Sequence, residues 1–575
     1  MKREQKLIKR RPIPIGDKIC EHPLLDRIYR ARHVNTSVEL DRSFGKLLPP
    51  NLLSEIGQGV ALLIDALDKQ SNIIIVGDFD ADGATSTALM MDALSQLGFK
   101  NLSYLIPNRF DQGYGLSLDV AEMAVASQAG LVITVDNGIS SLEGVAFLKQ
   151  HNVKVLITDH HLPGENLPIA DCIINPNLHD STFPSKALAG VGVAFYLMLA
   201  VRAKLRELKK FDQQSQPHFL DLLDLVALGT IADVVPLDQN NRILAFQGLG
   251  QIKKGHCRPG IQALIEVAHR NREKLTAGDL GFAIAPRLNA AGRLDNMSAG
   301  VELLLCKEME KARALAYDLD ALNQARREIE SGMKEEALRL CQNMPNFEQD
   351  LPYAIALYQA DWHQGVLGIL ASRIKDKYHR PTIAFADDKE GILRGSARSI
   401  EGIHIRDILE RVNSLYPDML VKFGGHAMAA GLSLKTEYLS DFQKAFNQVV
   451  KDWVKDDSMQ GIIWTDGELT PDLLSISTAE LINQAGPWGQ AFPEPIFEGE
   501  FKILQQRLLK DAHLKLLIEP KNGGPLLDAI AFNIDRSLYP DLSLKEVRLV
   551  YKLNINEFRG QRNLQLLVEH IEPLN

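Results

Sequence analysis

The sequence predicts an α/β protein. A parallel, doubly wound sheet comes first, a second α/β unit follows a long helix, and a small β-barrel comes last. Three observations predict this. From Asn72 to Thr158, short apolar runs alternate with helical stretches, the βαβ pattern of a parallel sheet. Lys311 to Cys341 contains no proline, and its apolar residues recur at helical spacing. From Gly461 the pattern changes to short strands.

Taken in order, Met1 to Arg11 is basic with no apolar run after it, so it reads as a solvated tail and not a signal peptide. Residues 20 to 70 read as an irregular helical lead-in without visible chemistry. The predicted strands of the first sheet are Ile73–Val76, Leu102–Ile106, Leu131–Val135 and Lys154–Thr158. The predicted helices are Ala84–Leu97, Ser117–Gln128 and Leu142–Gln150. Leu188 to Val201 is the longest apolar stretch; it is too short to span a bilayer and reads as a buried helix, within a helical run Val191 to Lys210. Phe211 to His218 is a polar loop, and residues 258 to 305 form a further helical segment. The helix from Lys311 to Cys341 would run roughly 45 Å, and its polar faces mark it as a connector. A second α/β unit runs from about Tyr353 to Lys455. The barrel strands are Gly461–Thr465, Phe497–Leu504, His513–Ile518, Asp528–Phe532, Arg548–Leu553 and Leu564–Val568, which fits an OB-fold. The implied domains are a lead-in (1–60), a first α/β domain (61–305), the connecting helix (306–345), the second α/β domain (346–457) and the barrel (458–575).

At 575 residues the chain is too long for one core. The formal net charge of -9 gives no overall pull toward nucleic acid, although a channel needs only local positive charge. The five cysteines are scattered, with no C-x-x-C pair, which fits reduced thiols in the cytoplasm.

The chemistry concentrates at Gly77-Asp78-Phe79-Asp80-Ala81-Asp82-Gly83, directly after the first apolar strand. In an open α/β sheet, ligands bind outside the carboxyl ends of the strands. Three acids packed there repel one another unless a cation holds them. Hard oxygen ligands in that number suit Mg²⁺ or Mn²⁺. Three more acidic or histidine positions follow predicted strands: Thr134-Val135-Asp136-Asn137-Gly138 ends one, Thr158-Asp159-His160-His161 ends the next, and Asp233 follows the apolar segment Leu225 to Ala232. Each has a plain reading: Asp136-Asn137-Gly138 alone is an ordinary turn, and a lone His160 is more often a hydrogen-bonded surface or core residue. Together, carboxylates plus one histidine can hold two divalent ions. Adjacent residues on an extended chain point to opposite sides, so His160 and His161 should divide the roles. Asp159 can serve by orienting a histidine.

These motifs resemble the DHH phosphoesterase superfamily, and within it the single-strand-specific DNA exonucleases that work 5′→3′. The resemblance covers nearly the whole chain. It extends to Pro107-Asn108-Arg109-Phe110 with Gly113-Tyr114-Gly115-Leu116, Gly229-Thr230-Ile231-Ala232-Asp233, Pro286-Arg287-Leu288-Asn289-Ala290-Ala291-Gly292-Arg293, Trp362-His363-Gln364-Gly365 and Gly424-Gly425-His426. It implies a DHH catalytic domain, a DHH-associated substrate-binding domain and two Mg²⁺ or Mn²⁺ ions. The implied metal ligands are Asp80, Asp82, Asp136, His160 and Asp233, with Asp136 bridging. Asp78 is a further candidate, since Val76 stands where many members carry a histidine. His161 would face the scissile phosphate, so His161, Asp136 and Asp159 form the catalytic set. Ala397 stands where related proteins often have glycine.

Phosphate binding needs arginine or backbone donors. Most arginines are solvated charges, but several here lie inside the resembling motifs. The substrate candidates are Arg109, Tyr114, Arg287, Asn289, Arg293, Ser372, Arg373, Arg398 and His426, and the resemblance implies that Arg109, Ser372 and Arg373 anchor the 5′ end. Trp488 and Phe492 either stack on bases or fill a core, and the sequence leaves both open. Lys253-Lys254 and His269-Arg270-Asn271-Arg272 read as solvated faces. The expected activity is removal of mononucleotides from single-stranded DNA in repair and recombination. The implied partners are single-stranded DNA, a single-strand-binding protein and repair helicases, with no membrane. Two other readings are a phosphodiesterase on short oligonucleotides or cyclic dinucleotides, and a non-catalytic replication scaffold. The barrel opposes the first, and the intact acidic set opposes the second.

Overall fold

The computed structural model describes residues 6–211, 216–344, 347, 351–389, 391–454, 459–510, 512–534 and 544–574. Residues 212–215 of the expected polar loop and Lys455 at the end of the second α/β unit lie outside them. The chain divides into two compact units. One holds Arg10–Asp320 together with the segment from Trp464 onward; the other holds Ala321–Ile463 with the stretch ending at Lys9.

The first sheet has five parallel strands in the order Leu102–Leu105, Ile73–Val76, Leu131–Val135, Lys154–Thr158, Cys172–Ile174. Four match the apolar runs. The fifth, Cys172–Ile174, was not predicted, because three residues are too few to show periodicity. All four residues of Ile73–Val76 are buried, as an interior parallel strand requires. The chain leaves this strand for one neighbour and later returns on its other side at Leu131–Val135. That reversal creates a crevice at the carboxyl ends of these two strands, the place where open α/β sheets bind ligands. Asn137 spans it, donating from Nδ2 to the carbonyls of Val76 (3.0 Å) and Val135 (2.8 Å).

The helix Ala81–Gln96 begins three residues earlier than predicted. Its N-cap is Asp80, whose Oδ1 accepts from the amides of Asp82 and Gly83 at 3.0 Å. The apolar stretch at Leu188 does form a buried helix, Gly190–Glu207. Asp233 was expected after a strand. The structure places it at the C-cap of the helix Leu223–Ala232, and the next residue, Val234, is left-handed at φ 58°. A β-branched residue rarely adopts that conformation. The connector is one helix, Met309–Gln342, somewhat longer than predicted.

In the other unit, the sheet order is Leu420–Gly425, Ala429–Lys435, Ile392–Arg398, Thr382–Asp387, Ile355–Tyr358. Its last pair is parallel and the rest antiparallel. The C-terminal strands close a barrel in the order Phe497–Leu509, His513–Pro520, Leu527–Ala531, Gln561–Pro573, Glu546–Phe558, with its third and last strands in chain order pairing in parallel. That is a five-stranded OB-type closure.

Three sequence readings change. Ile462–Thr465 does not join the barrel; it pairs with Leu7–Arg10, so part of the expected solvated tail is a strand. The lead-in is built into the barrel: Leu24 and Ile28 of the helix Pro23–Arg30 lie in its core beside Phe497 and Leu549. Arg32 forms a buried ion pair with Asp466, with hydrogen bonds of 2.7 and 3.0 Å. Trp488 and Phe492 are core aromatics. Their rings stack at 5.1 Å, both lie against Tyr29, and the Trp488 indole donates to the Ile482 carbonyl. Among the described residues, no single helix is long and apolar enough to cross a membrane.

Candidate metal centre

The crevice gathers side chains from several elements. The loop after Ile73–Val76 brings Asp78 and Asp80, and the first turn of the helix it enters brings Asp82. The loop after Leu131–Val135 brings Asp136, the loop after Lys154–Thr158 brings Asp159, His160 and His161, and the helix end at Ala232 brings Asp233. Three sets of ligand atoms lie within 4.8 Å of one another: Asp78, Asp80 and Asp136; Asp82, His160 and Asp233; and Asp136, His160 and His161. Asp136 belongs to two of the sets, and so does His160.

Backbone fit explains how so many acids meet. Asp136 is left-handed at φ 62°, a conformation that aspartate tolerates better than most residues. Gly190 lies so close that a Cβ there would sit 2.5 Å from the Asp136 side chain. Asp82 accepts from the amides of Gly190 (2.6 Å) and Val191 (3.0 Å), the first turn of the helix Gly190–Glu207. Unsatisfied amides and the helix dipole favour a carboxylate there. The sequence reading saw only a buried helix in this stretch; the small residues Ala189-Gly190 at its start were the available signal.

The charges are poorly balanced. Burial pushes the Asp78 carboxyl well above the ordinary carboxylate range, and the neighbouring Asp80 adds to it. Burial and Asp80 raise Asp82 to about 7. Burial, then the surrounding acids, raise Asp136 and Asp233 well above normal. His160 is lowered to about 4, mainly by burial and then by His161, so its imidazole is neutral. Its Nε2 lies 3.1 Å from Asp136 Oδ1 and 3.4 Å from Asp233 Oδ2. His160 Nε2 and Asp136 Oδ1 are both buried without a hydrogen-bond partner. Buried polar atoms are rarely left so, and two electron-rich atoms facing each other across 3.1 Å fit a shared cation. The donor set, carboxylates plus one neutral imidazole, suits Mg²⁺ or Mn²⁺.

His161 is held differently. Its Nδ1 lies 2.7 Å from Asp159 Oδ1, and the other Asp159 oxygen accepts from the Ile139 amide. Burial alone would lower His161, but the hydrogen bond and charge of Asp159 outweigh it and hold the imidazole up at about 9. With Nδ1 engaged, the Nε2 edge faces the Tyr114 hydroxyl at 3.4 Å. Tyr114 also bonds the Asp136 carbonyl and meets the rings of His161 and Phe79 edge-on. Arg109 lies over the Phe79 ring at 4.1 Å. Asn175 and Asn177 donate to the carbonyls of His161 and His160 and so fix both histidines from behind.

The helix Ala285–Leu294 splints the acidic loop. Asn289 Oδ1 accepts from the Ala81 amide at 2.8 Å, and a Cβ on Gly292 would fall 1.7 Å from the Phe79 carbonyl oxygen. Arg287 donates to the Ala283 carbonyl and pairs with Asp320 at 2.8 Å, and Arg293 is half-buried near the end of that helix. The remaining candidates belong to the other unit. There Ser372 donates to the Gly368 carbonyl, Arg373 pairs with Glu330 at 2.7 Å, and Arg398 bonds Ser396 Oγ and the Ala397 carbonyl. The His426 amide donates to the Ala429 carbonyl.

Known proteins carry the same segments. Residues 72–230 match the N-terminal domain of the DHH family, 350–452 the DHHA1 domain, and 465–570 the RecJ OB domain. The chain is 66% identical to the single-stranded-DNA-specific exonuclease RecJ of Haemophilus influenzae, over 99% of this chain and 100% of that protein. The chain belongs to the RecJ family. The Escherichia coli member is 55% identical over 100% of both chains. RecJ of Thermus thermophilus, solved in complex with Mn²⁺, superimposes with a TM-score of 0.79 at 28% identity, covering 96% of this chain and 76% of that one. The same protein in complex with Mg²⁺ gives 0.72 at 27% identity, covering 96% and 75%.

Proposed function

We infer that this chain is a single-stranded-DNA-specific exonuclease that shortens its substrate 5′→3′ to mononucleotides by metal-dependent hydrolysis. The observation that carries this is the convergence of five carboxylates and His160 in one crevice, where the buried Asp136 Oδ1 and His160 Nε2 face each other and neither has a hydrogen-bond partner. Two ions fit the residues present. Asp78, Asp80 and Asp136 would hold one; Asp82, His160 and Asp233 would hold the other, with Asp136 between them. When bound, such a pair activates water and neutralises charge on the transferring phosphoryl group.

The chain's own side chains orient the reaction. Asp159 fixes His161 by Nδ1, which leaves Nε2 as the edge that meets a phosphate oxygen. Tyr114 limits the swing of that ring. Asn289 and Gly292 hold the acidic loop in place. Arg109 supplies a charge-assisted contact to the DNA backbone, with Arg287 and Arg293 as further contacts or supports in the same unit, and Arg398 and His426 are substrate contacts of the other unit. Ser372 and Arg373 take the terminal phosphate, which carries more charge than an internal diester and so favours a chain end. Repair and recombination in the cytoplasm, with a single-strand-binding protein and repair helicases as partners, fits an enzyme of this class.

The test is degradation of single-stranded DNA and RNA labelled at the 3′ end, with Mg²⁺, with Mn²⁺ and with chelator. Metal-dependent loss of 5′ nucleotides from DNA is expected. Shortening from the 3′ end would overturn the polarity, and undiminished cutting in chelator would overturn the metal reading.

A further inference from the structure

Glu330 lies on the connecting helix and is buried at 9% exposure. It holds two arginines. One carboxylate oxygen accepts from Arg326, one helical turn earlier, and Arg326 also donates to Asn323 at 2.8 Å. The other oxygen accepts from Arg373 Nε at 2.7 Å, on the helix Leu367–Tyr378. All four residues belong to one compact unit.

The charges do not require the second arginine. Arg326 is itself buried and already balances Glu330, so Arg373 adds one positive charge. Its side chain is 51% exposed, against 11% for Glu330. The pair engages Nε, at the base of the guanidinium, so this contact does not use the two Nη groups of a half-exposed side chain. Bidentate capture of a phosphate needs a guanidinium held in one plane. An unrestrained arginine would lose rotamer freedom on each binding event; the Glu330 contact fixes that geometry beforehand.

We propose that Glu330 is the positioning residue for a terminal-phosphate contact by Arg373, so that preference for 5′-phosphorylated ends is set partly from the connecting helix. This rests on the reading of Arg373 as a phosphate contact. The experiment measures KM and kcat on 5′-phosphorylated and 5′-hydroxyl single strands for the full-length enzyme and for Glu330→Gln, Arg373→Ala and the double variant.

Arg373→Ala should lower the preference for the phosphorylated end roughly ten- to a hundredfold, as expected for a lost charge-assisted contact. Glu330→Gln should raise KM on the phosphorylated strand by roughly three- to thirtyfold, the scale of arginine rotamer freedom. It should leave kcat and the hydroxyl substrate nearly unchanged. In the double variant the Glu330→Gln effect should vanish. Equal losses on both substrates, or additive effects in the double variant, would make Glu330 a structural residue only and overturn the proposal. If Arg373→Ala keeps the full preference, the phosphate reading of Arg373 itself fails. If Arg373→Ala loses it and Glu330→Gln does not, the positioning role alone fails. Should Glu330→Gln unfold, Glu330→Met with Arg326→Met removes the buried pair in favour of apolar side chains and must show the same loss of preference.

Discussion

Asp466 and Asp136 are both buried aspartates in one compact unit, and they are held in opposite ways. Asp466 meets the Arg32 guanidinium through two hydrogen bonds, and its second oxygen also accepts from the Ile496 amide. Asp224 is paired with Arg258, and Glu498 with Arg10 and Arg548. Asp136 instead faces a neutral histidine across 3.1 Å. Asp82 rests on two backbone amides, and Asp78 on the amide of Phe79. Burying a carboxylate without a counter-charge is costly. The structural acids meet an arginine, whereas the printed partners of Asp78, Asp82 and Asp136 in the crevice are backbone amides and a neutral histidine. Unpaired burial, more than the number of acids, distinguishes the metal centre.

The sharpest way to break this contrast is Asp136→Asn. Asparagine tolerates the left-handed backbone at this position, where alanine would add strain. Changes to partners behind a ligand typically cost ten- to a hundredfold; if Asp136 is shared by two ions as proposed, Asp136→Asn should cost more than that, read as single-strand degradation with Mn²⁺. The metal-free variant should melt at the same temperature as the parent or higher, because one repelling charge is gone. Wild-type turnover would sink the two-ion reading.

Arg32→Met tests the paired side. It strands Asp466 in the core, which should destabilise by about 3–5 kcal/mol, measured by urea unfolding. Adding Asp466→Leu should recover only part, since the Ile496 amide loses its acceptor. The pair also fastens the N-terminal segment to the barrel, so deleting the barrel removes partners of Arg32, Leu24 and Ile28. A truncation ahead of Trp464 is therefore expected to disturb the N-terminal segment as well as DNA affinity. No loss of stability in Arg32→Met would show that this ion pair is worth little despite its burial.

How much of this was legible follows from range. The four apolar strands could be read because parallel strands buried on both faces are continuous apolar runs. The acids stood out because three charges directly after such a run have few structural uses. Asp233 was visible as a motif but not as a helix cap, since an apolar stretch of eight residues does not separate strand from helix. Trp488 was ambiguous because an aromatic in a barrel looks the same in sequence whether it faces solvent or core. Its neighbours Tyr29 and Arg32 are more than 450 positions away. Glu330 was invisible for the same reason: on a helix with polar faces nothing local marks the one acid that is buried.

A smaller effect is expected from Gly292→Ala, which leaves every acid in place and disturbs only the loop that carries them. The new Cβ would press on the Phe79 carbonyl, so the loop between Asp78 and Asp80 must shift or the helix Ala285–Leu294 must move away. Activity should fall roughly ten- to a hundredfold, as for other changes behind metal ligands. Part of it should return at high Mn²⁺, because the ligands remain. Loss that excess metal does not touch would mean that the splint serves the substrate and not the ions.

The smallest effect concerns Arg109, the arginine in the loop beside the acids. The charge of Arg109 acts on Asp78, yet its guanidinium rests on the ring of Phe79. An arginine paired directly with Asp78 would do for the crevice what Arg32 does for Asp466, and would consume the charge that the ions need. An aromatic face holds a cation without neutralising an acid. Phe79→Leu keeps an apolar side chain of similar size and removes that face. A cation–π contact is worth about 0.5–2 kcal/mol, so KM for single-stranded DNA should rise roughly two- to thirtyfold while kcat and the Mn²⁺ binding isotherm stay close to the parent. The slope of log affinity against log salt should also flatten by up to about one phosphate contact, if Arg109 meets the backbone less often. A variant that instead loses Mn²⁺ affinity at constant KM would show that the ring supports the acidic loop and leaves Arg109 to be held by other contacts.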